Sequence, residues 1–342
     1  MKRVAVFVLA LGTAPAHAAF VSFDAPGGGT GGGRGTYAYG VNADGTVVGL
    51  VDDAQSKAAG YVRTPDGTIT VFSAATGADT HAIDVNSDGT LVGYYTGSDG
   101  HLHGYTRTAN GTIASFDPKK SKGTQGITIS SKGDSAGQYT GSDGIQHGFL
   151  RLASGKIVTF DGGVSNTFGT FVTGVNAAKT VTGFWFDSAS SMHGYLRAKD
   201  GTLTPVDIDG AGKGAVQGTQ PESINANGDI AGFYTDGSSK RHGFLRTADG
   251  IVTAFDVPGA VNTIVAGLNK KRDIAGYWVD PSTGAARGFL RTVKGRFKKF
   301  DAPNASLQSG RGTFVSRIGD DGAIVGEAFD ANFTSHGFVG TP

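Results

Sequence analysis

Asp84, Asn86 and Asp88 stand at alternate positions and are closed by Gly89, a spacing that offers three oxygen donors to a hard cation such as calcium. His81 lies just upstream, and Glu222 and Arg317 occupy related places farther along the chain. Together they have the types for metal-assisted hydrolysis: oxygen ligands hold the ion, the ion polarises a carbonyl, and His81, Glu222 and Arg317 act as catalytic groups. Tyr37, Gln125 and Gln220 are the expected ligand-binding side chains beside them. The calcium pattern is partial. Tyr95 stands where a helical calcium loop has its bidentate Glu, and Thr90-Leu91-Val92 resumes a strand at once. Equivalent turns read NADG, NANG and NKKR, which favours an ordinary Asx turn.

Two further motifs have the letters of catalytic sites without their context. Gly133 to Gly137 reads GDSAG, the G-x-S-x-G of serine hydrolases, but Ser135 takes the strand position of Val47, Leu91, Ile230 and Ile274, and no helix follows. Gly27 to Gly35, GGGTGGGRG, resembles a phosphate-cradling loop only in composition, so a connecting loop is expected there.

What must position all these residues is a repeat. Gly49, Gly93, Gly137, Gly183, Gly232, Gly276 and Gly326 recur at spacings of 44, 44, 46, 49, 44 and 50. Gly60, Gly104, Gly148, Gly194, Gly243, Gly288 and Gly337 keep step with them, each followed by Tyr or Phe. The copy from Ser223 to Asp256 reads as four strands, Glu222 to Asn225, Asp229 to Tyr234, His242 to Arg246 and Ile251 to Asp256. Its connectors Asn227-Gly228, Asp236-Gly237 and Asp249-Gly250 suit tight turns. Seven such copies, all-β and four-stranded antiparallel, predict a seven-bladed β-propeller spanning residues 19 to 342, since each unit buries its faces against its neighbours.

Aligned on Thr-x5-Asn, the innermost strands carry the polar candidates. The fifth residue before the Asn position is Tyr37, His81, Gln125, Phe171, Gln220, Ile264 or Phe314, and the second is Gly40, Asp84, Thr128, Gly174, Ser223, Gly267 or Arg317. Glu222 occupies the third. This asymmetry marks the central tunnel as the place for a site, while polar residues facing tunnel water explain it equally well. Arg63, Arg107, Arg151, Arg197, Arg246 and Arg291 recur too regularly for catalysis and suit structural pairing within or between units.

Fourteen residues separate His103 from Asp117, His147 from Asp161, His193 from Asp207 and His242 from Asp256. His336 has no Asp that far downstream, and Asp24 has no upstream His. The two are expected to complete each other, with the N-terminal strand becoming the outer strand of the last blade and leaving no bare edge.

Residues 1 to 18 have the charged, apolar and small-residue regions of a secretory signal peptide, so the mature chain is expected to be secreted or periplasmic. No stretch is long and apolar enough for a membrane span. The absence of cysteine excludes disulfides and thiolate metal sites. Without Lys2 and Arg3, the 30 basic residues fall to 28 against 29 acidic, so no net field draws nucleic acid. A monomer is expected.

The motifs H-G-F-L-R, D-G-T-I, F-D-x-P-G and G-x-N-x-x-G-D-I-x-G resemble the HAF-type extracellular repeats of bacterial secreted proteins, with H-G-F in place of H-A-F. The resemblance covers nearly all of the mature chain and implies a propeller-like exported protein, with no shared reaction or catalytic residues. The expected function is a non-enzymatic binding or scaffolding module for a protein, glycan or small-molecule ligand. The alternative is a calcium-dependent hydrolase, lactonase- or lyase-like, at the tunnel.

Overall fold

Tight turns build each unit, as the fifth one illustrates. Its strands Gly218–Ile224, Ile230–Thr235, Arg241–Arg246 and Val252–Phe255 pair antiparallel in sequence order. The first starts four residues before the expected Glu222. The strand admits Pro221 because its missing N–H falls at a register shift between Pro221 and Ser223, where no ladder donor is needed. Gly228 and Gly250 take positive φ as expected. In the middle turn Ser239 does so (φ 67), not Gly237. Asp236 Oδ1 accepts the amides of Ser238 and Lys240 there, and this Asx geometry moves the left-handed residue downstream.

The computed structural model describes residues 19–163 and 168–342; the leader expected over residues 1 to 18 lies outside them. The described residues contain 28 strands and no helix, and the strands fit seven successive four-stranded units. In the seventh, Ala19–Phe23 pairs antiparallel with Ser335–Thr341, setting Phe23 opposite Gly337. Neighbouring units join by packing. Ladder contact between them is confined to isolated parallel bridges such as Gly35 with Ser335 and Met192 with Gly218, so hydrogen bonds do not close the sheets into one ring.

The repeated residues explain this packing. Tyr61, Tyr105, Phe149, Tyr195, Phe244, Phe289 and Phe338, the aromatics after the second glycine set, are among the largest fully buried side chains. The hydroxyls of Tyr61, Tyr105 and Tyr195 donate to the inner-strand carbonyls of Tyr37, His81 and Phe171. Gly93 shows why the first glycine set is required: a Cβ there would sit 1.9 Å from the His81 carbonyl oxygen. The buried threonines tie the connections. Thr80 Oγ1 accepts the Ala74 amide, Thr219 that of Ile208 and Thr263 that of Val257.

The recurrent arginines link units. Arg107 lies over Phe72, Arg151 over Phe116, Arg197 over Phe160 and Arg291 over Phe255, at 4.7 to 4.9 Å from the ring centres of the preceding unit. Arg63 lies over Phe23 in the same way, tying the first unit to the N-terminal strand.

Candidate functional site

The inner strands end at a ring of asparagines. Asn86 Oδ1 accepts the amides of Asp88 and Thr90, each at 3.0 Å, and its Nδ2 donates to the Ser130 carbonyl of the next unit. Asn42, Asn176 and Asn225 make equivalent crossings, to the carbonyls of Asn86, Asn225 and Asn269. Asn86 therefore holds a turn and a neighbour together, and Asp88 contributes its amide to that turn. Among the described residues, no group of three or more His, Asp or Glu side chains is placed to hold a metal ion.

Asp84 lies beside this ring and is buried. Its Oδ1 accepts the Val85 amide, and its Oδ2 accepts Thr128 Oγ1 at 3.1 Å and the Ile129 amide at 3.0 Å. Arg317 Nη1 stands 3.5 Å from that same oxygen. Arg317 belongs to the seventh unit and Asp84 to the second, so the pair spans the first, whose residue at this position is Gly40. A Cβ on Gly40 would meet the Asp84 Cα at 3.0 Å. The two line a cavity of about 200 Å³ together with Asn86, Thr128, Asn176 and Asn225. With the charge matched and both oxygens bonded, Asp84 acts as a brace across three units.

Glu222 faces a different cavity, a cleft of about 360 Å³ lined by Gln220, Phe233, Arg241, Tyr277 and Ser316. Gln220 Nε2 donates to Glu222 Oε1 at 2.6 Å. Burial pushes the Glu222 carboxyl up to about 8, against the opposing pull of Gln220, Arg241 and Arg317. Glu327 next door is pushed up to about 7 by burial and accepts Ser316 Oγ at 3.0 Å. The Tyr277 phenol is raised chiefly by burial, while Arg241 lowers it and Glu327 and Glu222 raise it further.

An arc of rings adjoins this cleft. Tyr277 meets Phe314 at 5.1 Å, Phe314 meets Phe329 at 5.6 Å, Phe329 meets Tyr37 at 6.1 Å, and Tyr37 meets Tyr39 at 6.2 Å. Tyr37, one of the expected binding residues, is thus part of the arc. Burial, Asp52 and Glu327 push its phenol up to about 12, and its hydroxyl donates to the Gly33 carbonyl.

The remaining candidates lie apart. His81 stacks on Tyr94 at 4.5 Å, and burial lowers its pKa against the pull of Asp79. It lines neither cavity. Gln125 accepts from Gln138 at 3.1 Å. The expected catalytic set of His81, Glu222 and Arg317 is therefore divided between separate places. Ser135 is fully buried within Ser135–Thr140, in strand and not on an exposed elbow.

Alignment on the inner strand missed Glu327, Tyr277 and Arg241. Glu327 follows the strand glycine Gly326, where the other units carry Leu50, Tyr94, Gln138, Phe184, Phe233 and Tyr277. An acid at that otherwise uncharged position was the available signal.

At the outer rim every expected His–Asp pair forms. The Nδ1 to carboxylate distances are 2.7 Å for His103–Asp117 and His147–Asp161, 2.9 Å for His193–Asp207 and 3.0 Å for His242–Asp256. A second carboxylate, from Asp99, Asp143, Asp187 or Asp236, meets the other ring nitrogen. Arg287 replaces His in the sixth unit and bonds both Asp280 and Asp301.

The fold is shared with solved structures. The chain matches the β-propeller domain of the Trilobed protease from Pyrococcus furiosus with a TM-score of 0.57 and 11% identity, covering 89% of this chain and 95% of that one. The fold is that of a β-propeller. The BP39L lectin from Burkholderia pseudomallei matches with a TM-score of 0.55 and 10% identity over 88% of this chain and 94% of the lectin. Puromycin hydrolase matches with a TM-score of 0.58 and 14% identity over 90% of this chain, which spans only 52% of that enzyme. Identities this low speak to fold alone. No family model matches the chain, and no curated protein matches it.

Proposed function

We propose that the chain is an exported, seven-bladed propeller of HAF-type repeats that acts as a non-enzymatic binding module for a glycan. The aromatic arc from Tyr277 through Phe314 and Phe329 to Tyr37 and Tyr39 carries this reading. Sugar rings present apolar C–H faces that pack on aromatic rings, and their hydroxyls need placed donors and acceptors. Gln220, Glu222 and Ser316 supply these at the edge of the arc. A lectin shares the fold, which is compatible with this use.

The calcium-dependent hydrolase would require Asp84 to leave Thr128, Ile129 and Arg317 for an ion, whereas glycan binding leaves that brace in place. The test is calorimetric titration with a panel of neutral and acidic oligosaccharides, repeated on Tyr277→Ala and Phe314→Ala. At least one saccharide should bind, and each variant should bind it tenfold or more weakly. No binding across the panel, or unchanged affinity in both variants, would overturn the reading.

A further inference from the structure

Arg241 shares its cleft with one acid, Glu222, which burial keeps neutral at pH 7. Its guanidinium lies 5.4 Å from the centre of the Phe233 ring and forms no ion pair among the described residues. Its backbone amide is held by Asn262 Oδ1 at 2.9 Å, which fixes where the side chain starts. Arg317, by contrast, is matched by Asp84. Tyr277 lines the same cleft and its hydroxyl has no hydrogen-bond partner among the described residues. The cleft thus offers an aromatic-backed guanidinium, a free phenol, an amide and a serine hydroxyl.

We infer that this cleft selects a carboxylated sugar, the uronate unit of an acidic glycan, with Arg241 pairing its carboxylate and Gln220, Glu222, Tyr277 and Ser316 bonding its hydroxyls. The inference rests on the glycan-binding reading and adds the charge class of the ligand. An arginine fork matches a carboxylate in two parallel hydrogen bonds. A neutral Glu222 both donates to and accepts from hydroxyls, while an ionised one repels the ligand. The groups that set its charge are Gln220 on its own strand, Arg241 on the third strand of its unit, and Arg317 on the inner strand of the seventh unit. Tyr277 and Glu327 complete the local field.

Because the Glu222 carboxyl is raised to about 8, it is neutral below that pH and charged above it. Binding of an acidic sugar should therefore weaken as pH rises from 7 to 9. The probes are trigalacturonic acid and a neutral galactose trisaccharide, titrated calorimetrically into the full mature chain. Trigalacturonic acid should bind at least tenfold tighter than the neutral sugar at pH 7. Arg241→Gln should abolish that preference; the arginine is exposed, and an unchanged melting temperature verifies the fold. Wild-type affinity should fall several-fold by pH 9, and Glu222→Gln should remove most of that fall. Equal affinity for both sugars, or a preference that survives Arg241→Gln, overturns the inference and leaves glycan binding standing. If neither sugar nor any of the wider panel binds, the glycan reading itself fails.

Discussion

Asp24 Oδ1 and His336 Nδ1 lie 2.8 Å apart although 312 positions separate them in the chain. The contact joins the first described strand to the last and gives the seventh unit the His–Asp pair that four others make within themselves. Phe20 adds apolar contact by stacking on Phe300 at 4.5 Å and meeting Phe338 edge-on at 5.6 Å.

Deleting residues 19 to 25 removes this strand, with Phe20, Phe23 and the partner of His336, and bares the edge of Ser335–Thr341. Phe20 and Phe23 are each half-buried, so losing both costs on the order of one fully buried Phe, about 3–5 kcal/mol, and the melting temperature should fall by on the order of 10 °C. Asp24→Asn alone should cost about 1 kcal/mol or less, because its carboxylate is exposed. A deletion that melts with the wild type would show that the latch contributes nothing.

The rim histidines predict a pH profile. The pKa of His103 is raised chiefly by its hydrogen bond to Asp117. In His147 and His193 burial opposes the rise, but the flanking aspartates outweigh it. A raised histidine pKa gives stability that is fully present below about 6.5 and lost as pH climbs through the folded value. Asp99, Asp143 and Asp187 have lowered values, so their share is present above about 4 and lost in acid. Stability should peak between these limits and decline as pH rises above about 6.5. Glu222 and Glu327, with raised values, also favour the fold at lower pH. The discriminating measurement is melting temperature against pH for wild type and a triple His→Gln variant at 103, 147 and 193. These pairs are partly exposed and worth about 0–1 kcal/mol each, so the triple variant should lose a few degrees at pH 6 and much less at pH 9. Parallel curves would refute the assignment.

The repeat made the rim legible because four of the five His–Asp pairs lie inside one hairpin, where a fixed fourteen-residue offset becomes a cross-strand contact. The core aromatics were equally accessible, since each follows a glycine in strict register. The Glu222 cleft was not. It draws Glu222 from an inner strand, Tyr277 from a second strand and Arg241 from a third, so no one-strand alignment shows them as neighbours. Between His81 and Asp84 the register shifts by one residue at Ala82/Asp84, so their closeness in sequence did not place them in one cavity.

Asp84 supplies the last prediction. The repeat alone suggests that its position tolerates small residues, because Gly40, Gly174 and Gly267 occupy it in other units. The structure argues otherwise for this unit. Asp84→Ala would leave the Thr128 hydroxyl, the Ile129 amide and the Arg317 guanidinium without their acceptor. Asp84 is buried but Arg317 is partly exposed, so the cost should fall below the roughly 3–5 kcal/mol of breaking a fully buried pair yet still lower the denaturant midpoint clearly. Arg317→Met should cost less, since Asp84 keeps its hydrogen bonds to Val85, Thr128 and Ile129. In the double variant no orphaned guanidinium remains, so the two losses should sum to less than their separate values. Urea unfolding of all four proteins measures this coupling. If Asp84→Ala unfolds at the wild-type midpoint, the carboxylate is not a brace, and its place in the asparagine-ringed cavity would instead point to a ligand there.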